Sequence, residues 1–248
     1  MKLVHSIVSE TGSQRLNNED AVLFMTPEKP WIEQCLGSLA IVSDGIGGYE
    51  KGEKASAMVV ETLSRYYFKD AGQPADRLRE AAIKANNSVA LEARASSIRM
   101  GATCTAVAIL EDALFFLHVG DSRAYILQGS ELSQVTLDHT LANEMAGSAS
   151  VRHSEQTMLF NPNALTRAMG VEATKGSHAD IFSVKNTLEK GDKILLCSDG
   201  VHGHITDPEL RNILTQQKSQ KEITDQMVKL ILQRGAKDNF SFILIGYE

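Results

Sequence analysis

The chain predicts an α+β layered sandwich, and three observations lead there. Apolar runs of strand length are joined by short turns, which implies hairpins and antiparallel sheet. Helical periodicity comes in two sequential pairs rather than after every strand, which disfavours a doubly wound parallel sheet. The 248 residues are enough for one large core and few for two typical domains.

The elements follow in order. Strand-like runs cover Lys2 to Ser9, Asp20 to Met25 and Ser38 to Ser43. Ala55, Met58, Val59, Thr62, Leu63 and Tyr66 then recur at i, i+3, i+4, i+7 spacing, which is one face of a helix. Leu78, Ala82, Ala85 and Val89 repeat the pattern within Ala75 to Ser96. Thr103 to Leu110 and Ala113 to Val119 read as a hairpin closed by Glu111-Asp112, and Ala124 to Leu127 precedes a turn at Gln128-Gly129-Ser130. Ala179 to Val184, Lys193 to Cys197 and Phe240 to Tyr247 complete the strands. Between the last two, Thr206-Asp207-Pro208-Glu209 starts a helix, with proline in its first turn and a capping-box glutamate. Ile223, Met227, Leu230 and Ile231 mark the last helix, with Gly235 as its C-terminal cap. Leu141 to Asn163 is the least core-like stretch and reads as a surface insert.

Composition narrows the function. The net charge is -6 without a lysine or arginine run, which argues against a nucleic-acid surface. No apolar stretch is long enough to span a bilayer, and Met1 to His5 lacks the apolar core of a signal peptide. Cys35, Cys104 and Cys197 are dispersed, without Cys-x-x-Cys. The expected compartment is a reducing cytoplasm, with neither membrane nor nucleic acid as partner.

The chemistry is carried by aspartates at the edges of apolar runs. They stand in Ser43-Asp44-Gly45, Gly120-Asp121-Ser122, Ser198-Asp199-Gly200 and Lys237-Asp238-Asn239, with Glu19-Asp20 before a fifth run. Packed together without a cation, such carboxylates repel, and each costs several kcal/mol to desolvate. A hard divalent metal resolves that conflict, and the glycine after Asp44 lets a backbone carbonyl approach it. Arg15, four residues before Glu19, can form a salt bridge there or hold a phosphate by two parallel hydrogen bonds.

Taken in order, Arg15-Leu16-Asn17-Asn18-Glu19-Asp20, Asp44-Gly45-Ile46-Gly47-Gly48, Gly101-Ala102-Thr103 and Gly120-Asp121-Ser122-Arg123 resemble the PPM family. Thr136-Leu137-Asp138-His139-Thr140, Leu165-Thr166-Arg167-Ala168-Met169-Gly170, Ser198-Asp199-Gly200 and Lys237-Asp238-Asn239 continue the resemblance over essentially the whole chain. These are the metal-dependent serine/threonine protein phosphatases of the phosphatase-2C type, and the glycine-rich second motif is similar to compact bacterial-type members. The resemblance implies a four-layer αββα sandwich, two antiparallel sheets flanked by helix pairs, in a single domain over residues 1–248. It implies hydrolysis of phosphoserine and phosphothreonine by a metal-activated water, reversing a cognate serine/threonine kinase. Asp44 would bridge two core ions, Mn²⁺ or Mg²⁺, with the Gly45 carbonyl as a further ligand. Asp199 and Asp238 would bind one of them, Glu19 and Asp20 would hold metal-bound waters or stand behind the direct ligands, and Asp121 with Asp199 would hold a third ion. Arg15 would bind the substrate phosphate, and residues 141–163 would form a flap beside the site. A monomer is expected.

One departure stands out. Many eukaryotic relatives carry histidine after Asp-Gly in the second motif, and this chain has Ile46. His202 and His204, just after Asp199-Gly200, could reach the site, but a helix-capping or surface role is expected for them, a structural one for His139, and buried packing for His118. Thr103, Ser122, Arg123, Asp138 and Arg167 are expected to tie loops to the sheets by hydrogen bonds.

Overall fold

The computed structural model describes residues 2–27, 36–46, 51–69, 72–147, 161–171 and 179–248. Two five-stranded antiparallel sheets are present among them. The first has the order β1 (Leu3–Glu10), β10 (Phe240–Tyr247), β9 (Lys193–Cys197), β6 (Arg123–Gln128), β7 (Glu131–Gln134). The second has β2 (Asp20–Met25), β3 (Ser38–Asp44), β4 (Cys104–Ile109), β5 (Ala113–Val119), β8 (Asp180–Lys185). Among the described residues six helices join them: α1 (Gly52–Lys69), α2 (Pro74–Ser96), α3 (Leu141–Gly147), α4 (Asp199–His202), α5 (Asp207–Leu214) and α6 (Gln220–Gln233).

Side-chain alternation explains the layering. Successive strand residues point to opposite faces, so β3 sends Leu39 and Ile41 one way and Ala40 and Val42 the other. Leu39 and Ile41 pack with Val59, Leu63, Leu78 and Val89 of α1 and α2. Ala40 and Val42 pack with Leu196, Ile243 and Ile245 of the first sheet. Phe240, Phe242 and Leu244 of β10 pack with Leu210, Ile213, Ile223 and Met227 of α5 and α6. Three apolar layers therefore separate four layers of structure, αββα. The central strands read as unbroken apolar runs because both faces are buried. Each fully buried Leu, Ile or Phe contributes about 1.5–3 kcal/mol.

Local signals place the ends. Thr206 and Ser219 each close a capping box, with Glu209 and Glu222. Gly235 follows α6 at φ +98, where a side chain would be strained. Three elements escape the sequence pattern. β7 is four residues long and largely exposed, α4 is a single turn, and α3 falls in the stretch read as a surface insert. Of that insert, residues 148–160 lie outside the described residues, as do Cys35, Gly47 and Gly48.

Candidate metal and phosphate site

Antiparallel register brings the acidic motifs to one end of the sandwich. Asp20 opens β2 directly opposite Asp44, which closes β3. Asp121 follows β5, and Asp199 starts α4 two residues after β9. Asp238 stands two residues before β10. A cleft of about 770 Å³ is lined by Arg15, Glu19, Asp44, Gly45, Asp121, Asp199 and Asp238. Seven of the eight residues singled out in the sequence thus share one wall system. Asp20 lies behind it, its Oδ2 accepting from Ser198 Oγ at 2.8 Å.

Backbone and hydroxyl contacts hold these groups. The Asp44 amide donates to Thr103 Oγ1 (2.9 Å), whose hydroxyl also meets Ser122 Oγ (2.7 Å). The Gly45 amide donates to the Glu19 carbonyl at 3.0 Å. A Cβ on Gly45 would stand 2.4 Å from the Gly52 carbonyl and 2.8 Å from that of Glu19, so only glycine fits. Asn239 pins the Arg15 loop: its Oδ1 accepts from the Glu19 amide (2.9 Å), and its Nδ2 donates to the carbonyls of Thr11 (2.8 Å) and Asn17 (2.9 Å). Asn239→Ala would orphan several partly buried groups at about 1–3 kcal/mol each. The expected result is a loss of about 2–4 kcal/mol in urea unfolding, and a change below about 1 kcal/mol would contradict this role.

The electrostatics are those of a crowded anionic cluster. Burial first, then the charges of Asp20, Asp199 and Asp121, push Asp44 well above the usual carboxylate range. Asp199 is raised as well, first by burial. Burial raises Asp20 to about 6, and burial with the Asp199 charge raises Asp121 to about 7. Glu19 is raised as well, mainly by burial. Arg15 donates to Asp238 Oδ2 at 2.7 Å, with side-chain exposures of 43% and 36%. So open an ion pair is worth no more than about 1 kcal/mol, and either partner is readily drawn away by a stronger ligand.

Does this donor set suit a metal? Asp20 Oδ1 is buried and has no hydrogen-bond partner among the described residues, an arrangement that costs about 1–3 kcal/mol unless a cation satisfies it. The available donors are carboxylate and carbonyl oxygens, the preference of a hard divalent cation. Among the described residues no three His, Cys, Asp or Glu side chains form a closed ligand set. Asp238, turned onto Arg15, accounts for part of that openness. The residues therefore fit a divalent cation that draws the carboxylates inward.

The remaining histidines and flanking motifs are placed as follows. His202 departs from the surface or capping expectation: its Nε2 meets the Asp121 carbonyl at 3.0 Å, tying α4 to the Asp121 turn. His204 Nδ1 meets the Gly200 carbonyl at 2.7 Å, capping the short helix. His118 is buried between Thr105 Oγ1 (2.9 Å) and the Leu137 carbonyl (3.1 Å). Arg123 forks onto Asp138, Nε to Oδ1 at 3.0 Å and Nη2 to Oδ2 at 2.8 Å. Ser198 and Asn239, which support Asp20 and the Arg15 loop, were invisible as such in sequence; both sit inside quoted motifs, next to the aspartates.

An acidic oxygen cleft that also carries Arg15 and Arg167 accommodates a cation and an anion together. The comparisons give that combination a family. Residues 11–244 match protein phosphatase 2C, and the chain belongs to that family. Among its relatives is the serine/threonine phosphatase stp of Listeria welshimeri, 30% identical over 214 residues, covering 84% of this chain and 83% of the relative. The protein phosphatase PhpP of Streptococcus pneumoniae is 27% identical over 246 residues, 97% of this chain and 96% of the relative. The crystal structure of Stp1 from Staphylococcus aureus superposes with a TM-score of 0.85 at 28% identity, covering 100% of this chain and 96% of that one. The catalytic domain of PstP in complex with two manganese ions superposes at 0.79 with 26% identity, covering 98% and 97%.

Proposed function

We propose that the chain is a metal-dependent protein serine/threonine phosphatase whose reaction centre is the acidic cleft. The carrying observation is the juxtaposition of Arg15 with Asp44, Asp121, Asp199 and Asp238 on one cleft wall. Asp44 and the Gly45 carbonyl would hold two core ions, with Asp199 and Asp238 as further ligands. Asp121 and Asp199 would hold a third, and Glu19 and Asp20 would orient the surrounding water. All-oxygen donors favour Mn²⁺ or Mg²⁺ over zinc. When bound, such ions supply a Lewis-acid charge and make a water nucleophilic near neutral pH.

The chain's own residues do the rest. Arg15 offers a planar fork of donors to phosphoryl oxygens once it leaves Asp238. Asp20 and Asp121, raised by burial, would give up protons to a bound cation, which would make loading more favourable with rising pH. Ile46 provides no proton for the leaving oxygen. Asn161 and Asn163, at the end of the 141–163 stretch, line the cleft and support its reading as a substrate-facing flap.

The substrates are phosphoproteins. We infer a cognate serine/threonine kinase as the opposing enzyme, a monomeric single domain over residues 1–248, and a cytoplasmic site of action. Among the described residues no helix is long and apolar enough to cross a membrane, and the acidic balance offers little to nucleic acid.

Phosphopeptide assays test the reading. Phosphothreonine and phosphoserine peptides are expected to exceed a matched phosphotyrosine peptide by at least about tenfold in kcat/KM, or about 1.4 kcal/mol. Mn²⁺ or Mg²⁺ should be required. Full turnover in EDTA, or equal cleavage of phosphotyrosine, would overturn it.

A further inference from the structure

Asp180 opens the edge strand β8 and lies outside every acidic motif of the sequence. Its carboxylate is used twice. Oδ1 accepts from Arg167 Nη1 at 2.9 Å, and Oδ2 meets His139 Nε2 at 3.0 Å. Arg167 lines the cleft. His139 is 5% exposed, and its Nδ1 accepts the Gly120 amide at 3.1 Å. An Nδ1 that accepts carries no proton, so the proton is on Nε2 and donates to Asp180. The His139 amide donates in turn to the Gly120 carbonyl at 2.7 Å. Both polar groups of Gly120 therefore end on His139.

Gly120 leaves little room for error. It sits at φ +106, and a Cβ there would be 2.6 Å from Thr103 Cγ2. The next residue is Asp121, whose direction follows from this turn. The histidine buttresses the turn, and the Asp180 carboxylate fixes the histidine's tautomer and ring plane. The same His139 carbonyl accepts from the Thr166 amide at 2.9 Å, so the segment carrying Arg167 is tied to the same point.

We propose that Asp180 is a positioning residue for the Asp121 cation site, acting through His139 and the Gly120 turn, and that its second oxygen sets Arg167 against the cleft. This rests on the reading of Asp121 as a cation ligand. Stability alone does not account for the arrangement. Asp180 is 48% exposed and Arg167 34% exposed, so their ion pair adds little to folding. Its contribution is to orientation.

Asp180→Asn keeps the shape but can present an acceptor to only one of the two donors. Mn²⁺ binding to wild type, Asp180→Asn, Asp121→Ala and the double variant is followed by the electron paramagnetic resonance of free Mn²⁺, alongside thermal melting without metal. Removing an outer partner of a ligand typically weakens metal binding 10- to 100-fold. Asp180→Asn is expected to weaken the weakest site about tenfold, with the tight sites and the melting temperature unchanged. Asp121→Ala should delete that site, and the double variant should match Asp121→Ala. An Asp180→Asn isotherm that superposes on wild type, or a further loss in the Asp121→Ala background, overturns the positioning role alone. An Asp121→Ala isotherm identical to wild type overturns the reading of Asp121 on which the role rests.

Discussion

Asp44→Asn is expected to lower phosphatase kcat/KM by about 10³-fold while making the metal-free protein more stable. The two effects share one cause. Asp44 holds its carboxyl among Asp20, Asp121 and Asp199, and burial with their charges drives it far toward the protonated form. Asparagine keeps the shape and removes an ionisable group whose charged form the folded state disfavours. A gain of about 1–3 kcal/mol in EDTA follows from relieving a buried like-charge contact. The proposed reaction needs that same charge between two cations, and losing one preorganised electrostatic group costs on the order of 10²–10³ in rate. Steady-state kinetics with Mn²⁺ and urea unfolding in EDTA read the two directions separately. A variant that is both active and destabilised would remove Asp44 from the centre of the site.

The metal-free protein is expected to gain about 1–2 kcal/mol as pH falls from 8 to 6. Asp121 titrates at about 7 and Asp20 at about 6 when folded, both above the ordinary value of 3.8. The folded state therefore binds protons more tightly than the unfolded chain, and stability rises as pH falls through those values toward 3.8. Three histidines oppose this gain below pH 6.5. Burial depresses His118 to about 4 and also lowers His139 and His202, so the unfolded chain takes up their protons first. Saturating Mn²⁺ should add about 4 kcal/mol at a thousandfold excess over Kd and flatten or reverse the slope, because protons and cation compete for the same oxygens. Unfolding midpoints at pH 6 and 8, with EDTA and with Mn²⁺, measure both. A metal-free protein less stable at pH 6 than at 8 would contradict the clustering of these carboxylates.

How legible was this molecule in its sequence? The central strands were, since burial on both faces leaves an uninterrupted apolar run that few other elements produce. The long helices were, because α1 and α2 each bury one stripe against a flat sheet. β7 was not, because a four-residue edge strand with polar, exposed side chains has no periodicity to read. α4 was not, because one helical turn cannot repeat. The acidic motifs announced themselves by position at strand ends, but sequence could not say that Asp20 lies behind the cleft with an unsatisfied oxygen. Asp180 and His139 illustrate the remainder: they meet only because β8 pairs with β5, and neither neighbourhood in the chain hints at the other.

The Arg15–Asp238 contact, read against this proposed chemistry, makes the protein its own competitor. The carboxylate occupies the guanidinium that a phosphate would use, and the guanidinium occupies the carboxylate that a cation would use. A phosphoprotein arriving alone must displace Asp238, and a cation arriving alone must displace Arg15. Each guest that wins its partner releases the other's, so the first to bind lowers the threshold for the second, and by reciprocity the gain is the same in either order. Because the contact is exposed and weak, the self-competition is worth about 1 kcal/mol, or roughly fivefold. That is enough to disfavour half-loaded states without closing the site.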